Sequence, residues 1–209
     1  LRAGPPVALI AGGLLLVMAG PRFMSALIEL PGNYVPQRLE RDEKVSDAVL
    51  AKMVSTRLGS LEWYKGGQQW VELGLAQLRQ AKRSQSNRVF LLRGAVADLR
   101  KGLAMKPANS PGWLWLAEGE LLLGGGATHA VARAIEMSIR TAPLDHRYYM
   151  KRLELSLLSW PQMNMDARQR VVGQVRIARR KFSRELAKLA DRSDYRVLVR
   201  RIFGNAPKG

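Results

Sequence analysis

From Ala3 to Pro21 the chain has nineteen consecutive residues without a charged side chain. Its apolar heart is Val7-Ala-Leu-Ile-Ala-Gly-Gly-Leu-Leu-Leu-Val-Met-Ala19. A half-buried helix would need a polar face, and none is present. Two readings fit. The first is a signal peptide, with Arg2 ahead of the apolar run and the small-residue end Val17-Met18-Ala19. The second is an uncleaved transmembrane anchor, and this is the one we expect. A span needs about 20 residues, and a helix continuing to Ile28 reaches that length if Arg22 snorkels to a headgroup. Val7, Leu14, Leu15, Leu16 and Phe23 would then face lipid. Pro21 is expected to kink this helix or end its first part. Gly12, Gly13 and Gly20 would let it pack against other membrane helices.

Arg22, Arg38, Arg41 and Lys44 follow the run, and only Arg2 precedes it. The positive-inside rule then puts the remainder of the chain in the cytoplasm. A few basic residues upstream of Leu1 would reverse this, so the side stays open. The expected location is a bacterial inner membrane, crossed once.

The remaining composition is that of a globular protein, 47% hydrophobic and 24% charged, with enough apolar surface for a core. Cysteine is absent, which excludes disulfides, thiolate metal sites and a cysteine nucleophile. The net charge of +17 favours polyanionic partners. Residues 164–209 hold +9 of that excess.

Residues 31–45 read as a linker. Pro31-Gly-Asn-Tyr-Val-Pro36 is rich in breakers and Gln37 to Lys44 is charged. Beyond it, apolar residues recur at helical spacing and no strand alternation is visible. Helices are expected from a Ser46 or Asp47 cap to about Leu58, from Gly67 to Arg83 and from a Ser86 or Asn87 cap to Met105. Further ones run from a Ser110 cap to Leu123, where Gly124-Gly-Gly126 stops it, from Thr128 to before Pro143, and from Asp145 to near Trp160. A long basic helix from Asn164 or Asp166 to about Lys181 and two short helices from Ser183 and Asp194 complete the chain.

Paired helices at this spacing suggest a repeat. Trp70-Val-Glu-Leu73-Gly74 resembles the first-helix pattern of a tetratricopeptide repeat, and Ala95, Leu99, Gly102 and Pro107 resemble the second. Trp113, Leu116 and Ala117, then Ile135, Ser138 and Pro143, repeat the two patterns. The match is degenerate. Trp70 to Pro107 is 37 positions, about nine more than the family pattern provides, and Gln77 and Glu120 replace an expected aromatic. The resemblance implies an all-α chain: a transmembrane helix (1–30), the linker (31–45), an α-solenoid of tetratricopeptide-like pairs (46–160) and a basic helical cap (161–209). Asn109-Ser-Pro-Gly-Trp-Leu-Trp-Leu-Ala117 and Arg152-Leu-Glu-Leu-Ser-Leu-Leu-Ser-Trp-Pro161 resemble membrane-anchored repeat proteins of alphaproteobacteria. Some of these resemble partners of cell-surface polysaccharide machinery.

Catalytic signals are weak. His129 and His146 sit at helix starts, and neither has a second ligand at helical spacing. Glu118 and Glu120 point to different faces of one helix. Gly124-Gly-Gly-Ala-Thr128 lacks the Gly-Lys-Ser/Thr of a phosphate loop. No enzyme, cofactor or metal is expected.

Trp70 and Trp113 hold repeat positions and should be core. Trp115, two residues on, fills the next interface or lines an exposed groove, and Glu120 faces either solvent or a groove. Trp63 and Tyr64 fit either the core or a membrane interface. Arg176, Arg179, Arg180, Lys181 and Arg184 are the sharpest binding feature. Acidic protein subunits of a membrane complex, or anionic lipid headgroups, suit them. Nucleic acid is the weaker alternative, because no recognised motif or stacking platform accompanies the basic helix. The expected function is a non-enzymatic, membrane-anchored adaptor or accessory subunit.

Overall fold

A computed structural model describes residues 5–41 and 43–191. Among them there are only helices and turns. The expected helix beginning at Asp194, and Arg196, Arg200 and Arg201 with it, lie outside the described residues.

The first helix, α1 (Pro5–Glu29), runs through Pro21 without interruption and contains Val7. One stretch, Ile10–Gly32, is long and apolar enough to cross a membrane, with a mean hydropathy of 1.5. Leu14, Leu15, Leu16 and Phe23 are exposed. The last turns of α1 pack on α3.

The proposed linker is a structured part of the body. Leu30–Gly32 forms a 3-10 turn, and Val35–Glu40 forms a short helix, α2, with Pro36 in its first turn. Val35, Leu39 and Val45 are buried in the core. The breakers point to an irregular linker, yet Pro at a helix start is favourable because its missing N–H has no intrahelical partner there. Val35 and Leu39 are four apart, so both reach one buried face.

The body contains α3 (Asp47–Trp63), α4 (Gly67–Ala81), α5 (Arg88–Met105), α6 (Ser110–Gly124) and α7 (His129–Thr141). It continues with α8 (Tyr149–Leu158), α9 (Met165–Lys181) and α10 (Ser183–Asp191). Side-chain caps account for several starts: Ser46 accepts from Val49 N–H, Thr128 from Val131 and Asn164 from Ala167. Asn109 caps α6 by accepting from Gly112 N–H, so Ser110 is freed for another task. Gly125, at φ 65°, ends α6 in the left-handed conformation that a Cβ disfavours.

From α2 onward each helix packs against its successor, α1 packs on α3, and α4 with α6, α6 with α8 and α7 with α9 also meet. Between α4 and α5 the backbones nearly touch. A Cβ on Gly102 would lie 2.7 Å from the Gly67 carbonyl oxygen and 2.8 Å from Val71 N. A Cβ on Gly74 would lie 2.9 Å from the Ala95 carbonyl oxygen. Part of the extra length of the first unit is taken up by α5, which has 18 residues against 13 in α7.

The tryptophans follow helical phase: Trp115 takes the buried one of its two expected places, and Trp70 and Trp113 are only partly buried. Trp115 is 4% exposed and belongs to the core, so it lines no exposed groove. Trp113 and Trp70 are half-buried. The Trp113 Nε1–H donates to the Pro107 carbonyl at 2.8 Å, and Lys101 Nζ sits 4.4 Å from the Trp70 ring centre. Helical phase sets this: the face of α6 carrying Leu114 and Trp115 turns inward, while Trp113 covers the α5–α6 turn.

Gly102→Ala should lower stability by about 1–3 kcal/mol, because the new methyl meets backbone that cannot yield. Gly173→Ala in α9, where nothing lies within 4 Å, should be neutral or gain up to about 1 kcal/mol. Urea midpoints of the detergent-solubilised chain check both.

Candidate functional site

Two arginines are among the largest fully buried side chains. Arg57, on α3, is 1% exposed. Its Nε donates to Glu72 Oε2 on α4 at 2.5 Å, and its Nη2 donates to Asn33 Oδ1 at 3.1 Å. Nη1 reaches the Glu29 carbonyl at 3.5 Å and its carboxylate at 4.0 Å. Gln69 and Ser25 donate to Glu29 Oε1, and Gln68 donates to Glu72 Oε1. One guanidinium thus joins the end of α1, the following turn, α3 and α4. Its five donors in a rigid fork suit such a junction.

Arg152, on α8, is 0% exposed and has no carboxylate directly on it. Nε donates to Ser138 Oγ at 3.0 Å, Nη2 to Ser110 Oγ, and Nη1 to the Ala142 carbonyl at 2.9 Å. Ser110 and Ser138 each donate to the other's backbone carbonyl. Burial pushes the Arg152 guanidinium below its usual value, while Asp145, Tyr149 and Tyr148 oppose that. The charge is placed at the C-terminus of α7, where the helix dipole favours a cation.

Glu118, on α6, is a third centre. Lys82 Nζ lies 2.6 Å from Oε1, Lys151 Nζ 3.1 Å from the same atom, and Arg79 3.7 Å from Oε2. Burial raises the Glu118 pKa, but three cations outweigh it and the carboxyl ends below its usual value. Burial also dominates at Lys82 and pushes the ammonium down, because only Glu118 opposes it while Arg79 and Lys151 repel. Glu120 is paired with Arg100 at 2.5 Å instead.

A polar cleft of about 900 Å³ opens beside the first cluster, lined by Asn33, Gln37, Glu40, Arg41, Gln68 and Arg147 among others. Its walls come from α2, α4 and the turn before α8. Arg147 bridges Asp145 at 2.9 Å and Glu40 at 3.6 Å, so the segment once read as a linker is tied across to the far helices. The cleft offers hydrogen-bonding groups of both signs and no nucleophile paired with a base.

The basic residues do not form one patch. Arg176 lies midway along α9 beside a surface groove with Trp160, Met165 and Arg168. Arg179, Arg180 and Lys181 lie in the last turn of α9, and Arg184 is on α10. Lys181 Nζ donates to His146 Nε2 at 2.9 Å, and His146 stacks on Tyr149. His129 Nδ1 is 3.1 Å from the Gln162 carbonyl. Arg22 lies over the Tyr64 ring, 5.0 Å from its centre.

Comparison with family models, curated proteins and solved structures gives no significant match.

Arg57, Glu72, Arg152 and Glu118 were not legible as sites, because their partners on other helices lie 14 to 42 positions away. Arg57→Met should cost about 3 kcal/mol, since it strands Glu29 and Glu72. Arg57→Met with Glu72→Met should recover part of that loss, which a double-mutant cycle in urea measures.

The Glu118 pKa is depressed on folding, so its contribution is fully present above the usual glutamate value of 4.5. It is lost as pH falls through the lower folded value. Glu118→Gln should flatten the acid limb of the stability–pH curve and cost about 2 kcal/mol at neutral pH. An unchanged acid limb would mean that the pair is too well solvated to matter.

Proposed function

We propose that this chain is a non-enzymatic, membrane-anchored adaptor. On this reading α1 spans a bacterial inner membrane once, and the paired helices form a tetratricopeptide-like α-solenoid. The body holds protein subunits of a larger membrane complex.

The observation that carries the reading is the contrast along α1. Leu14, Leu15, Leu16, Val17 and Met18 are 59% to 76% exposed on the uncharged part of the helix, while Ser25 is buried and Glu29 is tied to the body by Gln69. Leaving each such side chain in water forgoes roughly 1.5–3 kcal/mol of burial. A bilayer removes that surface from water without requiring a polar face. From Pro5 to Pro21 the helix rises about 25 Å at about 1.5 Å per residue, close to the hydrocarbon thickness of about 30 Å.

The adaptor half of the proposal rests on how the polar groups are used. The shifted groups Lys82, Glu118 and Arg152 all join one helix to another. The open cleft offers hydrogen bonds from several elements, which suits a polar segment of a partner subunit. Association with cell-surface polysaccharide machinery is the pathway that the sequence resemblance favours.

Alkaline extraction should leave the full chain in the membrane pellet. Leu15→Lys with Leu16→Lys should release it, as each central charge costs about 2.5–3.5 kcal/mol to insert. A gentle detergent pull-down should recover a membrane subunit in fixed ratio. Release of the native chain by alkali would overturn the anchor. Recovery alone or chiefly with nucleic acid would overturn the adaptor.

A further inference from the structure

Resting on the anchor reading, we propose that one end of the helical body is itself a lipid-docking surface. It binds anionic phospholipid headgroups of the bilayer that holds α1. The position of this end follows from contacts between helix termini.

The last turns of α1 run antiparallel to α3. A Cβ on Gly59 would lie 3.3 Å from Ile28, while Arg22 reaches Tyr64, just past the end of α3. The apolar part of α1 before Arg22 therefore leaves the body at the C-terminal end of α3. Half-exposed Trp63 and Tyr64 mark that exit. Aromatic rings beside an arginine are what a membrane–water interface favours.

The same end is then traced helix by helix. The N-terminus of α4 lies against the C-terminus of α5: a Cβ on Gly67 would meet Met105 Cβ at 2.9 Å and Lys106 Cβ at 3.1 Å. Ser110, opening α6, bonds Ser138 in the last turns of α7. Arg152 near the start of α8 caps the C-terminus of α7 through Ala142. Lys181, closing α9, meets His146 ahead of α8. Lys65, Lys106, Arg140, Arg180 and Lys181 are thus exposed at the end from which the anchor emerges. Exposed Met105 and Leu144 lie among them.

Positive charge alone would not select this end, because the whole chain is basic. The anchor selects it. A helix that enters the bilayer here holds these termini near the headgroups, within reach of the negative surface potential. Exposed Met105 and Leu144 suit the boundary between headgroups and acyl chains. Glu62 is an exposed acidic residue at this end, while Asp145 is already bound to Arg147. An acidic protein would have to reach the same residues through the headgroup layer, so lipid is the favoured partner.

The chain has no cysteine, so Leu144→Cys gives a single labelling position at the proposed contact. Phe90→Cys, 79% exposed at the N-terminus of α5, gives one at the opposite end. The full chain is reconstituted in bilayers of phosphatidylcholine alone, or of phosphatidylcholine with phosphatidylglycerol. Each contains a trace of headgroup-nitroxide lipid to quench a fluorophore.

Quenching at position 144 should rise with phosphatidylglycerol and fall with added salt, while position 90 should stay unquenched. Lys106→Glu, Arg180→Glu and Lys181→Glu should each lower the docked-to-undocked ratio about five-fold or more. Arg140→Glu supplies an independent substitution if one of these fails to fold. If position 144 responds to neither lipid nor substitution, or position 90 quenches equally, the lipid-docking surface is wrong. Alkaline extraction of the same samples separates the failures. A chain that stays in the bilayer without docking overturns only this inference, whereas one that extracts overturns the anchor as well.

Discussion

The packing of the N-terminal half depends on a buried positive charge. Arg57 is surrounded by groups from three other chain segments, and each supplies it at least one acceptor. A buried guanidinium is tolerated only when its donors are met and its charge is balanced. Glu72 supplies the close carboxylate, and Glu29 adds a second at the edge of contact distance. The end of α1, the turn at Asn33 and the start of α4 are thereby held in one arrangement. An apolar residue at position 57 could pack against many neighbours, whereas the fork of Arg57 accepts few registers.

The C-terminal half uses the same device with different balance. Arg152 is met by hydroxyls and carbonyls, so its compensation comes from oriented dipoles and the end of α7. Between these charges, glycine rather than charge sets the helix spacing. Gly67, Gly74 and Gly102 allow α4 and α5 to approach until backbone meets backbone. Small residues permit contact, and the buried arginines decide which contact.

Much of the helical layout was legible in the sequence. Ser46, Thr128 and Asn164 cap helices by a local rule that needs only neighbouring residues. The apolar run of α1 was equally plain. The segment 31–45 was misjudged because Pro31, Gly32 and Pro36 were weighed more heavily than the four-residue spacing of Val35 and Leu39. Repeat position left Trp115 open between an interface and a groove, and helical phase places it in the core while Trp113 stays partly exposed. Glu118 was passed over for Glu120, since nothing local shows that Lys82 and Lys151 converge on it. The basic C-terminal run was visible, but its division between the Arg176 groove and the end of α9 depends on where Trp160 and His146 are placed.

The uninterrupted course of α1 into Glu29 has a mechanical consequence. A flexible tether would let a membrane-held body swivel and sample many headings. Here the rod entering the proposed bilayer is the same helix whose last turn is fastened to Arg57. On the proposed reading the body keeps a narrow range of tilt relative to the membrane plane, although helix and body still turn together about the membrane normal. A subunit diffusing in that plane meets it at a set height and tilt, and less orientational freedom is lost when the two associate.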